Sequence, residues 1–179
     1  MCFLAFTGFF RIEELLSVQL KDVIFLDTHI DIVLDKSKCD QHREGHIVPI
    51  ARLDSMYCPV KVLEKFLRLC NVDKLSEKDF FIIPRLFSNK NGQTASRNKG
   101  ISYTRAREVF LKNLKSFNVE SHNYCLHSLR SGGASSAANN NVSDRLISKH
   151  GRWKSDKSRD GYIKDSKDSR LQITKSLGL

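Results

Sequence analysis

The segment His127-Ser128-Leu129-Arg130, with the downstream segment Gly151-Arg152-Trp153 and Tyr162, decides how the rest of this chain is interpreted. His127 and Arg130 are three residues apart, so on a helix they share one face and both can approach one anionic group. The planar guanidinium of an arginine suits a phosphate, and a tyrosine hydroxyl is a nucleophile that can form a covalent intermediate. The order and spacing of these residues therefore predict chemistry at a phosphate group.

The composition is that of a single globular domain. The chain has 179 residues, of which 40% are hydrophobic and 28% are charged, and this length is sufficient for a sizeable core. No apolar run approaches the roughly 20 residues that a membrane span requires, and the N-terminus lacks the basic region of a signal peptide. The five cysteines are irregularly spaced, so neither disulfides nor a metal site is predicted. A reducing compartment is expected, which is nuclear if the host is a eukaryote and cytoplasmic otherwise.

Positive charge is concentrated in the second half of the chain. Lys and Arg outnumber Asp and Glu by 19 to 7 in residues 85–179, whereas the ratio is 11 to 13 in residues 1–84. This asymmetry favours a polyanionic partner that binds mainly to the C-terminal half, although a solvated basic face is the simpler alternative.

Hydrophobic periodicity predicts a mainly α-helical α+β fold with a small antiparallel sheet near the N-terminus. Helical patterns cover residues 3–20, with a break at Thr7-Gly8, residues 59–70 and residues 104–117. A further short helix is predicted between an N-cap at Ser143 and Gly151. On the third of these patterns, the residues expected to face inward are Ala106, Val109, Phe110, Leu114 and Phe117.

The remaining segments have strand or loop character. Residues 23–50 predict a β-hairpin with a long polar tip, and residues 79–87 predict a buried strand or extended segment that Pro84 interrupts. Residues 88–100 are rich in Asn, Lys and Gly and predict a polar loop. The small residues of 131–139 predict close helix packing.

The same motifs resemble a known family, the tyrosine recombinases, which includes phage integrases, Cre and the bacterial Xer enzymes. The segment from Thr7 to Leu15 is similar to the first arginine motif of that family, in which Arg is followed three residues later by Glu and then by Leu. The segment His127–Arg130 is similar to its His-x-x-Arg motif, Trp153 matches a later His or Trp, and Tyr162 stands where the nucleophile belongs. The intervals of 23 residues from Arg130 to Trp153 and of nine from there to Tyr162 are ones the family uses. The resemblance spans roughly residues 3–163.

The resemblance implies a tyrosine recombinase catalytic-domain fold and a role for each matching residue. The two arginines would stabilise the charge of a pentavalent phosphorane, the histidine would bond the phosphate or assist proton transfer, and a lysine on the hairpin would protonate the departing 5′ oxygen. The implied catalytic residues are Arg11, Lys38, His127, Arg130, Trp153 and Tyr162. Supporting roles are expected for Glu14 and His150. Contacts with DNA are expected from Lys36, Arg43, Arg105, Arg152 and Lys154.

Simpler interpretations remain open for several of these residues. Arg11 and Glu14 are spaced for a surface ion pair, and Lys36 competes with Lys38 for the role of the catalytic lysine. His150 competes with Trp153, which is favoured because it keeps the nine-residue interval to the tyrosine.

The resemblance also implies which reaction the protein catalyses, which partner it binds and which part of a family member the chain represents. We expect residues 1–179 to form one catalytic domain, with a polar tail at 164–179, and to lack the N-terminal DNA-binding domain and the first catalytic-domain helix of the family. The expected activity is cleavage and rejoining of double-stranded DNA through a 3′-phosphotyrosine, without metal or ATP, by a multimer (a synaptic tetramer) of mobile-element origin. The alternatives are a DNA-binding module without activity and an enzyme that relaxes DNA in the manner of a type IB topoisomerase.

Overall fold

The computed structural model describes residues 1–34, 45–90 and 92–178. Within these ranges, two short N-terminal helices are followed by a three-stranded sheet, a helix, a β-hairpin and a series of C-terminal helices. The helices are α1 (Cys2–Thr7), α2 (Ile12–Ser17), α3 (Pro59–Leu69), α4 (Tyr103–Ser116), α5 (His127–Asn139), α6 (Asp144–Gly151), α7 (Asp156–Asp160) and α8 (Lys167–Lys175). The strands are β1 (Val23–Phe25), β2 (His29–Leu34), β3 (His46–Ala51), β4 (Pro84–Asn89) and β5 (Gly92–Gly100). The mixed α+β architecture that the sequence predicts is confirmed.

The first sheet is antiparallel, in the order β1-β2-β3. Ile30 pairs with Ile50 and Ile32 with Val48, and all four side chains are buried. Because alternate residues of a strand face opposite sides, this register puts these two pairs on the side of the core. The predicted hairpin is thus confirmed, and its tip lies outside the described residues.

The second hairpin, β4-β5, was not predicted. Residues 88–100 were expected to be a loop, yet residues 92–100 form a strand that pairs with β4. The strand was missed because Ala95 is the single fully buried residue of β5, so its sequence carries no apolar alternation. Phe80 and Ile82 are buried as predicted, but they belong to an extended segment that precedes the strand at Pro84.

The main core lies between the first sheet and helices α2, α3 and α4. Phe110 and Ala106 of α4 are buried there, as the periodicity predicts. Phe117 was expected to face inward, but it is 77% exposed. It follows the last residue of α4, and the left-handed Asn118 after it turns the chain away from the helical path.

A smaller core joins the first helix to the C-terminal helices. It is built from Phe9, Ala134 and Ile147, with Trp153 and Tyr162 packed against it. Helix α5 crosses α1 closely at Gly133, where an added Cβ would clash with the Phe6 carbonyl oxygen. The close packing predicted for residues 131–139 is therefore found.

The C-terminal part of the described chain is helical. Ser143 occupies the N-cap of α6, as predicted. Within the tail predicted at 164–179, residues Lys167–Lys175 form α8, whose Leu171 and Ile173 are exposed. None of the helices in the described residues has the length and apolarity needed to cross a membrane.

Candidate active site

Four residues of the predicted constellation meet at the smaller core. His127 and Arg130 lie in the first turn of α5, Trp153 follows α6, and Tyr162 follows α7. The ring centroid of Tyr162 lies 4.9 Å from that of His127 and 5.0 Å from that of Trp153. The guanidinium carbon of Arg130 lies 4.6 Å from the Trp153 centroid and 5.1 Å from the Tyr162 centroid. Residues from three helix ends thus converge on one place.

Arg130 is fully buried at the centre of this group. One of its terminal nitrogens donates to the carbonyl of Phe9, and the other donates to the carbonyl of Gly151 at 2.7 Å. Neutral carbonyls orient the guanidinium without neutralising its charge. The positive charge of Arg130 is therefore held in place and available to an anion.

Two buried donors in this group have no hydrogen-bond partner among the described residues. They are Nε of Arg130 and Nε1 of Trp153. Buried polar groups are nearly always hydrogen-bonded, and an orphaned donor costs free energy. Two such donors on adjacent side chains beside a tyrosine are the arrangement that a bound oxyanion would satisfy.

Burial and neighbouring positive charges shift the pKa values of residues in this group. Burial first, and then the charges of Arg152 and Arg11, lower the pKa of Arg130 to about 10. Arg130 remains a cation at neutral pH. Partial burial of its ring, followed by the charges of Arg130 and Arg11, lowers the pKa of His127 below its ordinary value of 6.5. His127 is therefore neutral at pH 7 and can accept a proton.

Arg11 reaches the site from the N-terminal part of the chain. It is the N-cap of α2, and its guanidinium bonds Glu14 at 2.7 Å. The local ion pair that the spacing predicts is thus present. The side chain of Arg11 is 49% exposed, and its charge is close enough to lower the pKa values of both His127 and Arg130.

The structure gives Arg152 a different environment from the one expected. A DNA contact was predicted for it, but its side chain is 5% exposed and bonds Glu14 at 2.8 Å. The guanidinium of Arg152 is thus paired with a carboxylate of the same chain, and the DNA contact expected of it stays a prediction. His150 is also engaged, because its Nε2 donates to the Thr7 carbonyl at 2.8 Å and its ring packs edge-on against Phe9.

The other predicted DNA contacts are distributed differently. Arg105 is exposed on α4 and pairs with Glu108, and Lys154 is exposed beside Trp153. Lys36, Lys38 and Arg43 lie outside the described residues.

Sequence reasoning missed the residues that hold the tyrosine. The hydroxyl of Ser131 donates to the Tyr162 carbonyl at 2.6 Å, and the hydroxyl of Ser135 donates to the same oxygen at 3.2 Å. The two serines are four residues apart and begin one position after Arg130, so their spacing on α5 was a usable signal. The hydrogen bond from Arg130 to the Phe9 carbonyl had no such signal, since its acceptor belongs to the backbone.

No group of three or more His, Cys, Asp or Glu side chains placed to hold a metal ion occurs in the described part of the chain.

Solved structures with the same architecture cover nearly the whole chain. XerA recombinase matches with a TM-score of 0.65 and 17% identity, over 98% of this chain and 54% of that one. XerH recombinase in a post-cleavage complex with a palindromic difH substrate matches with a TM-score of 0.68 and 15% identity, over 98% and 44%. The Tn1549 transposon integrase with transposon right end DNA has a TM-score of 0.56 and 15% identity, over 99% and 57%. The fold is that of a tyrosine recombinase catalytic domain.

Sequence comparison gives the same result at the level of the family. The model of the phage integrase family matches residues 1–169. The integrase/recombinase xerD homolog of Selenomonas ruminantium is 29% identical over 165 residues, which are 91% of this chain and 46% of that protein. The chain belongs to the phage integrase family. It spans about half the length of the relatives that it matches.

Proposed function

We propose that this domain cleaves and rejoins double-stranded DNA at specific sites through a covalent 3′-phosphotyrosine at Tyr162. The observation that carries this proposal is the pair of orphaned donors, on Arg130 and Trp153, beside the tyrosine ring. Membership of the phage integrase family supports the same reaction class.

In the cleavage step, the oxygen of Tyr162 bonds to phosphorus and the bond from phosphorus to the 5′ oxygen breaks. The proton of the tyrosine passes to a base, for which neutral His127 is suited by its lowered pKa and by its ring contact with the tyrosine. The leaving 5′ oxygen gains a proton from a lysine, and Lys38 or Lys36 is proposed for this role by resemblance to the family. Arg130, Arg11 and the Trp153 indole are proposed to bond the non-bridging oxygens, whose charge rises in the transition state.

Rejoining is the reverse displacement. A 5′ hydroxyl attacks the phosphotyrosine and releases Tyr162, so the phosphodiester bond energy is conserved and neither ATP nor metal enters the balance. Exchange between two duplexes requires more than one protomer, so we propose a homo-multimer, a synaptic tetramer, on paired DNA sites. The resemblance of Gly151-Arg152-Trp153-Lys154 to eukaryotic transposon-borne members favours a mobile element as the genomic setting.

Covalent trapping tests this function. The protein is incubated with nicked DNA substrates drawn from random-sequence pools, at low salt because phosphate contacts weaken steeply as salt rises. An SDS-resistant adduct that maps to Tyr162 is expected, and Tyr162→Phe is expected to abolish it. Tyr57→Phe is the matched control, because Tyr57 is 62% exposed and belongs to the segment before α3.

Other results would identify the alternatives. DNA binding without an adduct, unchanged in Tyr162→Phe, would favour a binding module. An adduct with plasmid relaxation and no recombined product would favour an enzyme of the topoisomerase type.

A further inference from the structure

Arg152 occupies a position between the two arginines assigned to the phosphate. Its guanidinium bonds the Glu14 carboxylate at 2.8 Å, and the same carboxylate bonds Arg11 at 2.7 Å. The same terminal nitrogen of Arg152 approaches the Phe9 carbonyl at 3.4 Å, and that carbonyl also accepts from Arg130. Arg152 therefore contacts both a partner of Arg11 and a partner of Arg130.

The network joins parts of the chain that are far apart in sequence. Glu14 and Phe9 lie on either side of the start of α2, whereas Arg152 follows α6, so 138 residues separate Glu14 from Arg152. The other terminal nitrogen of Arg152 approaches the carbonyls of Gly8 and His150 at 3.5 and 3.3 Å. These contacts fasten the turn between α1 and α2 to the end of α6.

The backbone at both ends of the contact is unusual. Arg152 has φ of 60° and Phe9 has φ of 46°, a region that favours glycine and that a bulky residue enters at a cost in strain. At Arg152, a glycine would fit the backbone better, yet an arginine stands there with its side chain turned inward. At Phe9, the left-handed turn aims the carbonyl at Arg130. Strain of this kind persists where surrounding contacts hold it, and Arg152 supplies such contacts.

We propose that Arg152 is a positioning residue, which holds Arg11 through Glu14 and Arg130 through the Phe9 carbonyl, so that both guanidiniums face one phosphate. This inference rests on the proposed function of the site. Arg152 itself is enclosed and does not reach the phosphate. Its loss alters the geometry of the two arginines and leaves the groups that react in place.

A purely structural ion pair between α2 and α6 is the competing explanation, and single-turnover kinetics separate the two. The test compares Arg152→Gly, which removes the guanidinium and relieves the left-handed backbone, with Arg152→Lys, which keeps the charge without the planar fork. At saturating DNA, we expect the rate of adduct formation to fall about 30-fold in Arg152→Gly and less in Arg152→Lys, because misplaced groups lower the rate of the chemical step. DNA affinity is expected to change by less than about threefold, since Arg152 makes no surface contact.

The matched control is Arg52→Ala. Arg52 also bonds a glutamate, Glu64, and a backbone carbonyl, that of Asp27, but it lies at the end of the first sheet. We expect it to leave the saturated rate within about twofold of that of the wild type. A wild-type rate in Arg152→Gly, or an equal fall in Arg52→Ala, would overturn the proposal.

A double-mutant cycle tests the route through Glu14. If Arg152 acts through Glu14, the variant that combines Glu14→Gln with Arg152→Gly should be no more than about twofold slower than the slower single variant. Fully multiplicative losses would overturn this route.

A second measurement, hydrogen exchange at Arg130, tests the positioning role of Arg152 independently of the proposed reaction. In protein labelled with ¹⁵N-arginine, exchange of the buried Nε–H of Arg130 is measured, with its signal assigned by its loss in Arg130→Lys. Exchange about tenfold faster in Arg152→Gly, and unchanged in Arg52→Ala, is expected even if the wild type forms no adduct with DNA. Unchanged exchange in Arg152→Gly would overturn the positioning role, while a missing wild-type adduct would overturn only the proposed reaction.

Discussion

Arg130 and Arg159 are both buried, but their guanidiniums have opposite kinds of partner. Arg159 bonds three aspartates, Asp144 at 3.2 Å, Asp156 at 2.9 Å and Asp160 at 2.8 Å. Arg130 bonds two carbonyls and packs beneath aromatic rings, and its Nε has no partner among the described residues. One guanidinium is fully compensated within the chain, whereas the other keeps its charge.

The pKa values of the two arginines move accordingly. The hydrogen bond that Arg159 donates to Asp160, ahead of the charges of the carboxylates, raises the pKa of Arg159, whereas burial lowers the pKa of Arg130 to about 10. A buried charge with no counter-ion is costly, so a fold retains one where it has a use. Burial alone therefore does not make an arginine structural. The partners of the guanidinium distinguish a structural arginine from one that is held ready for an anion.

The largest expected difference between the two arginines is in the rate of DNA cleavage. Arg130→Ala should slow adduct formation about 10³-fold, or roughly 4 kcal/mol, because a donor to the transition-state charge is lost. Arg159→Ala should lower the thermal unfolding temperature but keep the rate within about threefold. Single-turnover trapping, alongside thermal unfolding of each variant, checks both. Equal rates of adduct formation in the two variants would contradict the different roles assigned to Arg130 and Arg159.

A smaller effect is expected on the binding of a simple anion. Trp153 is the single tryptophan of the sequence, so its fluorescence reports on the orphaned donors directly. Sulfate should change this fluorescence in the wild type, and its Kd should rise about tenfold in Arg130→Gln, since one charge-assisted hydrogen bond is worth about that factor. Arg159→Ala serves as the control and should bind sulfate as the wild type does. A titration curve that is the same in all three proteins would show that Arg130 is not available to anions.

The smallest expected effect is on the titration of His127. The uncompensated charge of Arg130 contributes to the lowered pKa of His127, after partial burial. Arg130→Gln should therefore raise this pKa toward 6.5, whereas Arg159→Ala should leave it unchanged, as followed by NMR of the histidine ring.

The lowered pKa of His127 also predicts the direction in which the stability of the protein changes with pH. Because the folded state binds this proton less readily than the unfolded state, the contribution of His127 to stability is complete above pH 6.5 and falls as the pH is lowered below that value. Unfolding midpoints measured across this range in wild type and His127→Gln check the direction. A midpoint difference between the two proteins that does not change with pH would contradict it.

The sequence was most informative where a residue's role depends on its own chain neighbourhood. Local sequence patterns predicted helix α3, the pairing of β2 with β3 and the position of Ser143 at the start of α6. The order and intervals of Arg130, Trp153 and Tyr162 identified the group that meets at the smaller core. The β4-β5 hairpin did not follow, because backbone pairing holds it and few of its side chains are buried.

The residue types and their intervals along the chain were therefore enough to indicate the family and the candidate nucleophile. The partners of Arg130 and Arg152 became evident only in the folded structure. Arg152 is a charged residue like any other in the sequence, and nothing local shows that it is enclosed against Glu14, whereas two of the aspartates around Arg159, Asp156 and Asp160, are its close neighbours in the sequence. The enclosure of Arg152 depends on its contact with Glu14, which is 138 positions away in the sequence, and such a contact exists only once the chain has folded.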